Sequence, residues 1–218
     1  MRLLTIPIVL ALLIFSNNLM AKDSKPMSVK EKKKRFRALV VPAVDKVYKE
    51  LSTQFLDISK NIKNKKYTQK IINLKSIYKV KTDKDLLMAL KPHPRSIAIA
   101  QAAMESAWAT SRFFKKAKNI FGIWSFSKNH SRIAAKGTRN GKTIWIKKYE
   151  HIENSIRDYY KNLGRSFAFK EFRALRMKTN NPYELVKKLD RYSEMGAKYG
   201  KELTSMIKFN KFYLYDKE

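Results

Sequence analysis

No cysteine occurs among the 218 residues, so the fold has no disulfide to depend on. There are three histidines, His93, His130 and His151, and no two have the spacing of paired metal ligands. Glycine is limited to six residues, none set in a phosphate-cradling loop. The sequence therefore points to no cofactor and no metal. The apolar run Leu3–Phe15, thirteen residues long, is too short to span a bilayer comfortably. The scarcest feature is negative charge. Eighteen Asp and Glu face 48 Lys and Arg, a net charge of +30, and from Ser106 to Tyr149 there is no acid at all.

Such a balance favours an anionic partner: nucleic acid, an anionic envelope surface, or wall polymer. Abundant Lys, Ile and Asn also mark a general compositional bias, which accounts for part of the surplus. Residues 1–21 read as an export signal, with Arg2, the apolar core and a small residue closing Leu19-Met-Ala21. An uncleaved amino-terminal anchor is the alternative. Either places the bulk of the protein in the periplasm or cell envelope, and nucleic acid is then not the expected partner. Hydrophobic residues make up 44% and aromatics 12%, enough for a core, and the length suits one domain with an added helical layer.

Ser96 to Ser106 is rich in Ala, Ile and Met and predicts a helix over 95–106, with Pro92 and Pro94 just ahead of it. Ile97, Ala100, Met104 and Trp108 form an apolar stripe. Ala98, Gln101, Ala102 and Glu105 form a second face, small enough to leave room for a substrate. Glu105 is the only charge between Arg95 and Arg112. A carboxyl against apolar walls has a raised pKa, holds its proton near neutrality and can donate it. The plainer reading is a structural carboxylate paired with Arg112.

Gln101-Ala-Ala-Met-Glu-Ser-Ala-Trp-Ala-Thr-Ser-Arg-Phe113 and Lys118-Asn-Ile-Phe-Gly-Ile-Trp124 carry a resemblance. They resemble the glucosaminidase signature of glycoside hydrolase family 73, and more narrowly its Bax-like branch. Weaker likeness extends through Phe36, Pro42-Ala-Val44, Tyr159-Tyr-Lys-Asn-Leu163, Phe169, Phe172-Arg173 and Tyr192-Ser-Glu194, covering roughly residues 32–217. The resemblance implies a mainly α, lysozyme-like α+β fold acting on peptidoglycan glycan strands, with Glu105 at the position of the catalytic acid. It places the turn of Asn119, Phe121 and Gly122 near the cleft floor and Tyr192 as a substrate-positioning residue. Ala109 stands where the signature usually has Gly; a positive φ there would cost Ala about 1 kcal/mol or more.

The rest of the chain divides into a basic linker over 22–35, an N-terminal helical segment over 36–90 and a catalytic unit over 91–218. Within 36–90 the apolar spacing predicts helices over 36–62, 67–78 and 83–90, with Pro42 near the first start and Asp83 capping the third. Trp108 to Ala117 continues as a second helical segment after a break. Asn140-Gly141 predicts a hairpin, and Lys142 to Tyr149 alternates, with Ile144 and Ile146 on one face and Trp145, Lys147 and Tyr149 on the other. The expected architecture is thus a helical body with a small β-hairpin lobe. Helices follow over 153–163, closed by Gly164, over 167–177, from Asn181-Pro-Tyr-Glu184, and over 201–209.

Glycosidases usually work with two carboxylates. The acid-free run denies the lobe the second one that many family 73 enzymes place there. Glu150, Glu153, Asp158 and Glu194 remain as candidates, or the substrate's 2-acetamido group serves, or Glu105 acts alone as in lytic transglycosylases. The expected function is an exported β-N-acetylglucosaminidase, with Glu105 as general acid. Tyr192, Trp145, Asn119, Phe121, Gly122, Trp108 and Gln101 are its candidate substrate contacts, Trp145 by stacking on a sugar ring. The alternatives are a transglycosylase-type or amidase-type wall enzyme, or an impaired wall-binding protein.

Overall fold

The computed structural model describes residues 26–217. The export signal expected over 1–21 lies outside the described residues. Among those described there are nine α-helices, a few short 3₁₀ turns and one two-stranded antiparallel sheet. The fold is mainly α with a small β lobe, as the sequence implies.

Helix α1 (Val29–Asn61) starts seven residues earlier than its apolar pattern suggests, so half of the expected linker is helix. Its start is a capping box in which Ser28 and Glu31 satisfy each other's backbone amides. Pro42 lies inside α1, which runs on through it. Phe36, Val40, Ala43, Val44 and Val47 enter the main core, so this half of α1 is an integral part of the body. The distal half, with α2 (Thr68–Tyr78) and α3 (Asp83–Leu90), builds a second, smaller core around Ile58, Leu74 and Leu86. Thr82, not Asp83, caps α3, because its hydroxyl accepts from the Asp85 amide. Asp83 instead pairs with Lys63 and Lys75, each at 2.7 Å.

Helix α4 (Arg95–Glu105) is the central element, packed between α1, α9 (Ala197–Phe209) and a 3₁₀ turn at Phe212–Asp216. Every residue from Ser96 to Ala103 is buried, the pattern of a helix enclosed on all sides. The small face of Ala98, Gln101 and Ala102 therefore serves close helix packing and leaves no space for a substrate. The Ser96 amide in the first turn of α4 donates to Asp216 at 2.8 Å.

Helix α5 (Arg112–Ala117) is shorter than expected, because the chain between it and α4 is a left-handed turn. Strands β1 (Arg132–Arg139) and β2 (Lys142–Lys147) follow, joined by Asn140 and Gly141 at φ 49° and 71°, as the Asn-Gly pair predicts. The ladder pairs Ile133 with Ile146 and Ala134 with Trp145, then slips before Thr138 and Thr143. Trp124 bridges to Ile146 from the other side of β2.

Helix α6 (Ile152–Arg165) continues past Gly164, which does not close it. The glycine is required for another reason. A Cβ there would lie 2.8 Å from the Ala89 carbonyl oxygen and 2.9 Å from the Tyr78 ring, so α6 seats on α2 and α3 only without a side chain. Helices α7 (Lys170–Arg176) and α8 (Pro182–Leu185) complete the body, α8 capped by Asn181 with Pro182 in its first turn. Helix α9 starts four residues before its expected onset.

Gly164→Ala should lower stability by about 1 to 3 kcal/mol through overpacking, read as a lower thermal midpoint. An unchanged midpoint would show that α6 does not need this contact.

Candidate active site around Glu105

Glu105 is the last residue of α4, where the helix leaves the core. Its carboxyl is enclosed by protein while the residue keeps a partial opening to solvent. Desolvation pushes its pKa from 4.5 up to about 7, opposed by a hydrogen bond from Tyr199. The negative end of the α4 dipole also disfavours charge at this position. Arg112 does not neutralise it; its guanidinium donates to the Ala134 carbonyl of the lobe at 2.9 Å.

The turn after Glu105 holds it in place. Ala107, Trp108 and Ala109 have φ of 48°, 60° and 59°, three consecutive residues in the left-handed region. Each costs an L-residue about 1 kcal/mol or more, and such strain persists only where the surroundings impose it. Buried Ser106 imposes it here: its hydroxyl donates to the Ala102 carbonyl and accepts from the Ala109 amide at 2.7 Å. Ala109 thus occupies the positive-φ position that suits the glycine it replaces.

Beneath Glu105 runs a chain of buried polar side chains. The Tyr199 hydroxyl donates to Glu105 Oε1 at 2.9 Å. Gln101 Nε2 donates to the Tyr199 hydroxyl at 3.0 Å, and the Tyr159 hydroxyl donates to Gln101 Oε1 at 2.5 Å. His93 Nε2 lies 2.9 Å from the Tyr159 hydroxyl. The Tyr192 ring stacks on Tyr199 at 5.3 Å and 10°, and its hydroxyl has no hydrogen-bond partner among the described residues. Burial and the nearby Glu105 carboxyl both raise the Tyr192 pKa, so it stays a neutral donor.

The other expected contacts are placed differently. Gln101 is sealed in the core and reaches Glu105 only through Tyr199. Phe121 is buried in a parallel stack on Tyr159, with centroids 3.9 Å apart, and has no face for a ligand. Buried Asn119 stitches the lobe instead: its amide donates to the Ile123 and Lys147 carbonyls and its oxygen accepts from the Ile123 amide, all at 2.9 Å. Gly122 takes φ 65°, a turn requirement, with open space where a Cβ would lie. The Trp108 ring packs against Phe36 at 5.3 Å and Phe212 at 6.2 Å, with the Lys33 ammonium over it at 4.8 Å.

Trp145 lies on the sheet face opposite Ile146, and the Arg132 guanidinium covers its ring at 4.1 Å. The tryptophan on the Ile146 face is Trp124, which the sequence pattern did not single out. Arg139 reaches it there at 5.8 Å and also donates to Glu194 of the helical body at 3.0 Å. Of the other late acids, Asp158 is committed to Lys147 at 2.6 Å and Tyr149 at 2.7 Å, which hold its pKa down against burial. The sequence pattern also does not single out Tyr159, His93 and Ser106 as site residues. No group of three or more His, Cys, Asp or Glu among the described residues is placed to hold a metal ion. No described helix is long and apolar enough to cross a membrane.

Fold and site together define a mainly helical protein with a cationic hairpin lobe and a protonatable carboxyl at the exit of its buried central helix. The chain belongs to the glucosaminidase family (mannosyl-glycoprotein endo-β-N-acetylglucosaminidase), which matches residues 84–212. It is similar to Protein bax of Escherichia coli (strain K12), 25% identical over 123 residues, which cover 54% of this chain and 43% of that protein. The chain thus spans less than half the length of that curated relative. Among solved structures it is similar to the catalytic domain of the autolysin Auto from Listeria monocytogenes, at 20% identity and a TM-score of 0.48, covering 88% of this chain and 100% of that one. A peptidoglycan hydrolase from Sphingomonas sp. A1 matches at 20% identity and a TM-score of 0.46, covering 61% of this chain and 84% of that one.

The folded protein binds the Glu105 proton more tightly than the unfolded chain does, so stability is lost as pH rises from 4.5 through about 7. Glu105→Gln removes this loss. Between pH 4 and pH 8 its stability should gain on that of the wild type by up to about 3 kcal/mol, measured by urea unfolding across pH. A constant difference would mean that the carboxyl is not held neutral by burial.

Proposed function

We propose that this chain is an exported peptidoglycan hydrolase of the cell envelope, a β-N-acetylglucosaminidase that cleaves glycan strands with Glu105 as its general acid. The observation that carries the reading is Glu105 at the exit of α4, its carboxyl enclosed with a pKa pushed up to about 7 while the residue keeps a partial opening to solvent. A group of that pKa holds a proton near neutrality and releases it to a departing glycosidic oxygen. Family membership supports an N-acetylglucosamine linkage as the bond cleaved. The net charge of +30 suits a strand whose peptide stems carry carboxylates. Tyr192, stacked on Tyr199 and with its hydroxyl unpaired among the described residues, is the residue we assign to positioning the sugar.

The second chemical step has a narrower set of candidates than the sequence suggests. The acid-free run from Ser106 to Tyr149 leaves the lobe without a carboxylate and Asp158 is committed to Lys147 and Tyr149, so Glu150, Glu153, Glu194 or the substrate itself supplies the second group. In the substrate-assisted routes, the oxocarbenium that develops as Glu105 protonates the leaving oxygen is trapped by the substrate itself. Its 2-acetamido oxygen leads to hydrolysis; the 6-hydroxyl of muramic acid leads to an anhydro product.

Purified peptidoglycan digested with wild type and with Glu105→Gln tests both parts. New reducing N-acetylglucosamine ends by mass spectrometry, absent with the variant, support the glucosaminidase. Anhydro-muramic ends replace it with the transglycosylase reading. No soluble fragments, with protein retained on sacculi, overturns the catalytic claim. A general acid works while protonated, so activity should fall as pH rises through about 7. Tyr199→Phe removes the bond that favours the charged carboxyl and should move this limb to higher pH. A limb that stays in place argues against Glu105 as the titrating acid.

A further inference from the structure

We infer that His93 is a positioning residue: it fixes the direction of the hydrogen-bond chain His93–Tyr159–Gln101–Tyr199, so that its far end donates to Glu105. This rests on the reading of Glu105 as the acid. The three middle members have no inherent direction. A tyrosine hydroxyl donates and accepts, and a glutamine amide can turn over. Run one way, as in the structure, Gln101 Nε2 donates to Tyr199 and Tyr199 donates to Glu105. Run the other way, Gln101 Nε2 donates to Tyr159, Tyr199 donates to Gln101, and Glu105 loses its donor. The first sense supports the carboxylate left after proton transfer; the second supports only the protonated acid.

The sense is decided where the chain starts. The His93 ring is caged, stacked on Tyr160 at 4.4 Å and edge-on to Tyr159 and Phe172, both at 5.5 Å. Its Nδ1 is buried with no hydrogen-bond partner among the described residues. A proton there would be an unsatisfied buried donor, the costlier of the two choices, so the single proton of the neutral ring belongs on Nε2. Burial of the ring opposes a second proton on the imidazole, and so does the charge of the buried Arg176 guanidinium, itself donating to the Met88 carbonyl at 2.6 Å. With Nε2–H donating, Tyr159 must turn its own proton to Gln101 Oε1, which orients the amide. The groups facing the chain are thus Arg176 and Tyr160 at His93, Tyr192, Tyr160, Arg176 and Glu105 at Tyr159, and Glu105 and Tyr192 at Tyr199.

The test follows the charge of Glu105 from a distance of four hydrogen bonds. Glu105 is titrated by carbon-13 NMR in glutamate-labelled protein, assigned with Glu105→Gln, in His93→Phe, His93→Gln, Tyr159→Phe, Tyr199→Phe and the double variant His93→Phe/Tyr199→Phe. His93→Phe and Tyr159→Phe should each raise the Glu105 pKa by about half a unit or more, as Tyr199→Phe does. His93→Gln, which can keep a donor towards Tyr159, should stay near the wild type. The double variant should titrate with Tyr199→Phe alone, because both changes act through one bond. Tyr159→Phe keeps its ring in place and serves if His93→Phe does not fold. Unmoved titration in Tyr159→Phe, or additive shifts in the double variant, overturns the inference. The NMR titration reads the relay whether or not glycan is cut, so failure of the proposed activity is separable from failure of the relay.

Discussion

The structure depends on the burial of one helix. α4 is enclosed from Ser96 to Ala103, and only the residues at its two ends meet solvent. A polar side chain on such a helix must find its partners within the protein. Gln101 does so through two tyrosines, and those tyrosines carry its influence to Glu105 and back to His93. Packing and electrostatics are therefore one problem here. The neighbours that exclude water from α4 are the same groups that set the charge of its last residue.

Two opposing effects poise Glu105. Desolvation and the helix end hold the proton on; the Tyr199 hydroxyl favours its release. An acid catalyst needs both, because it must hold a proton before the step and tolerate a charge after it. The left-handed turn from Ala107 to Ala109 keeps the carboxyl in place during this exchange. Its strain is borne by Ser106, which ties the end of α4 to the turn. Glycine at these positions would relieve the strain and slacken the support together.

Local signals in the sequence were readable where a residue's own neighbours decide its fate. Glu105 stands out as a lone charge in an apolar run, and the Asn140-Gly141 turn forms as its dipeptide predicts. The relay was not readable, because its members are brought together from 58 to 98 residues apart in the chain. Gly164 resembles a helix stop but is retained inside α6 for its contact with Ala89 and Tyr78. Strand alternation separated Trp145 from Ile146 correctly, yet it does not say which face meets the body. The Trp124 bridge to Ile146 and the Arg139 contact to Glu194 decide that, and they turn Trp145 away.

The acid-free run governs how the protein meets a polymer. Eleven lysines and arginines lie between Ser106 and Tyr149 with no carboxylate among them. Only Lys147 and Arg139 of these form ion pairs among the described residues. Acidification through the carboxylate range therefore has nothing in this segment to neutralise. Attraction of the lobe to a polyanion answers to ionic strength, whereas the proton on Glu105 answers to pH. The charge of the lobe and the charge of Glu105 are in this way governed by different variables, and a shift in acidity that discharges Glu105 leaves the lobe's attraction to a polyanion intact.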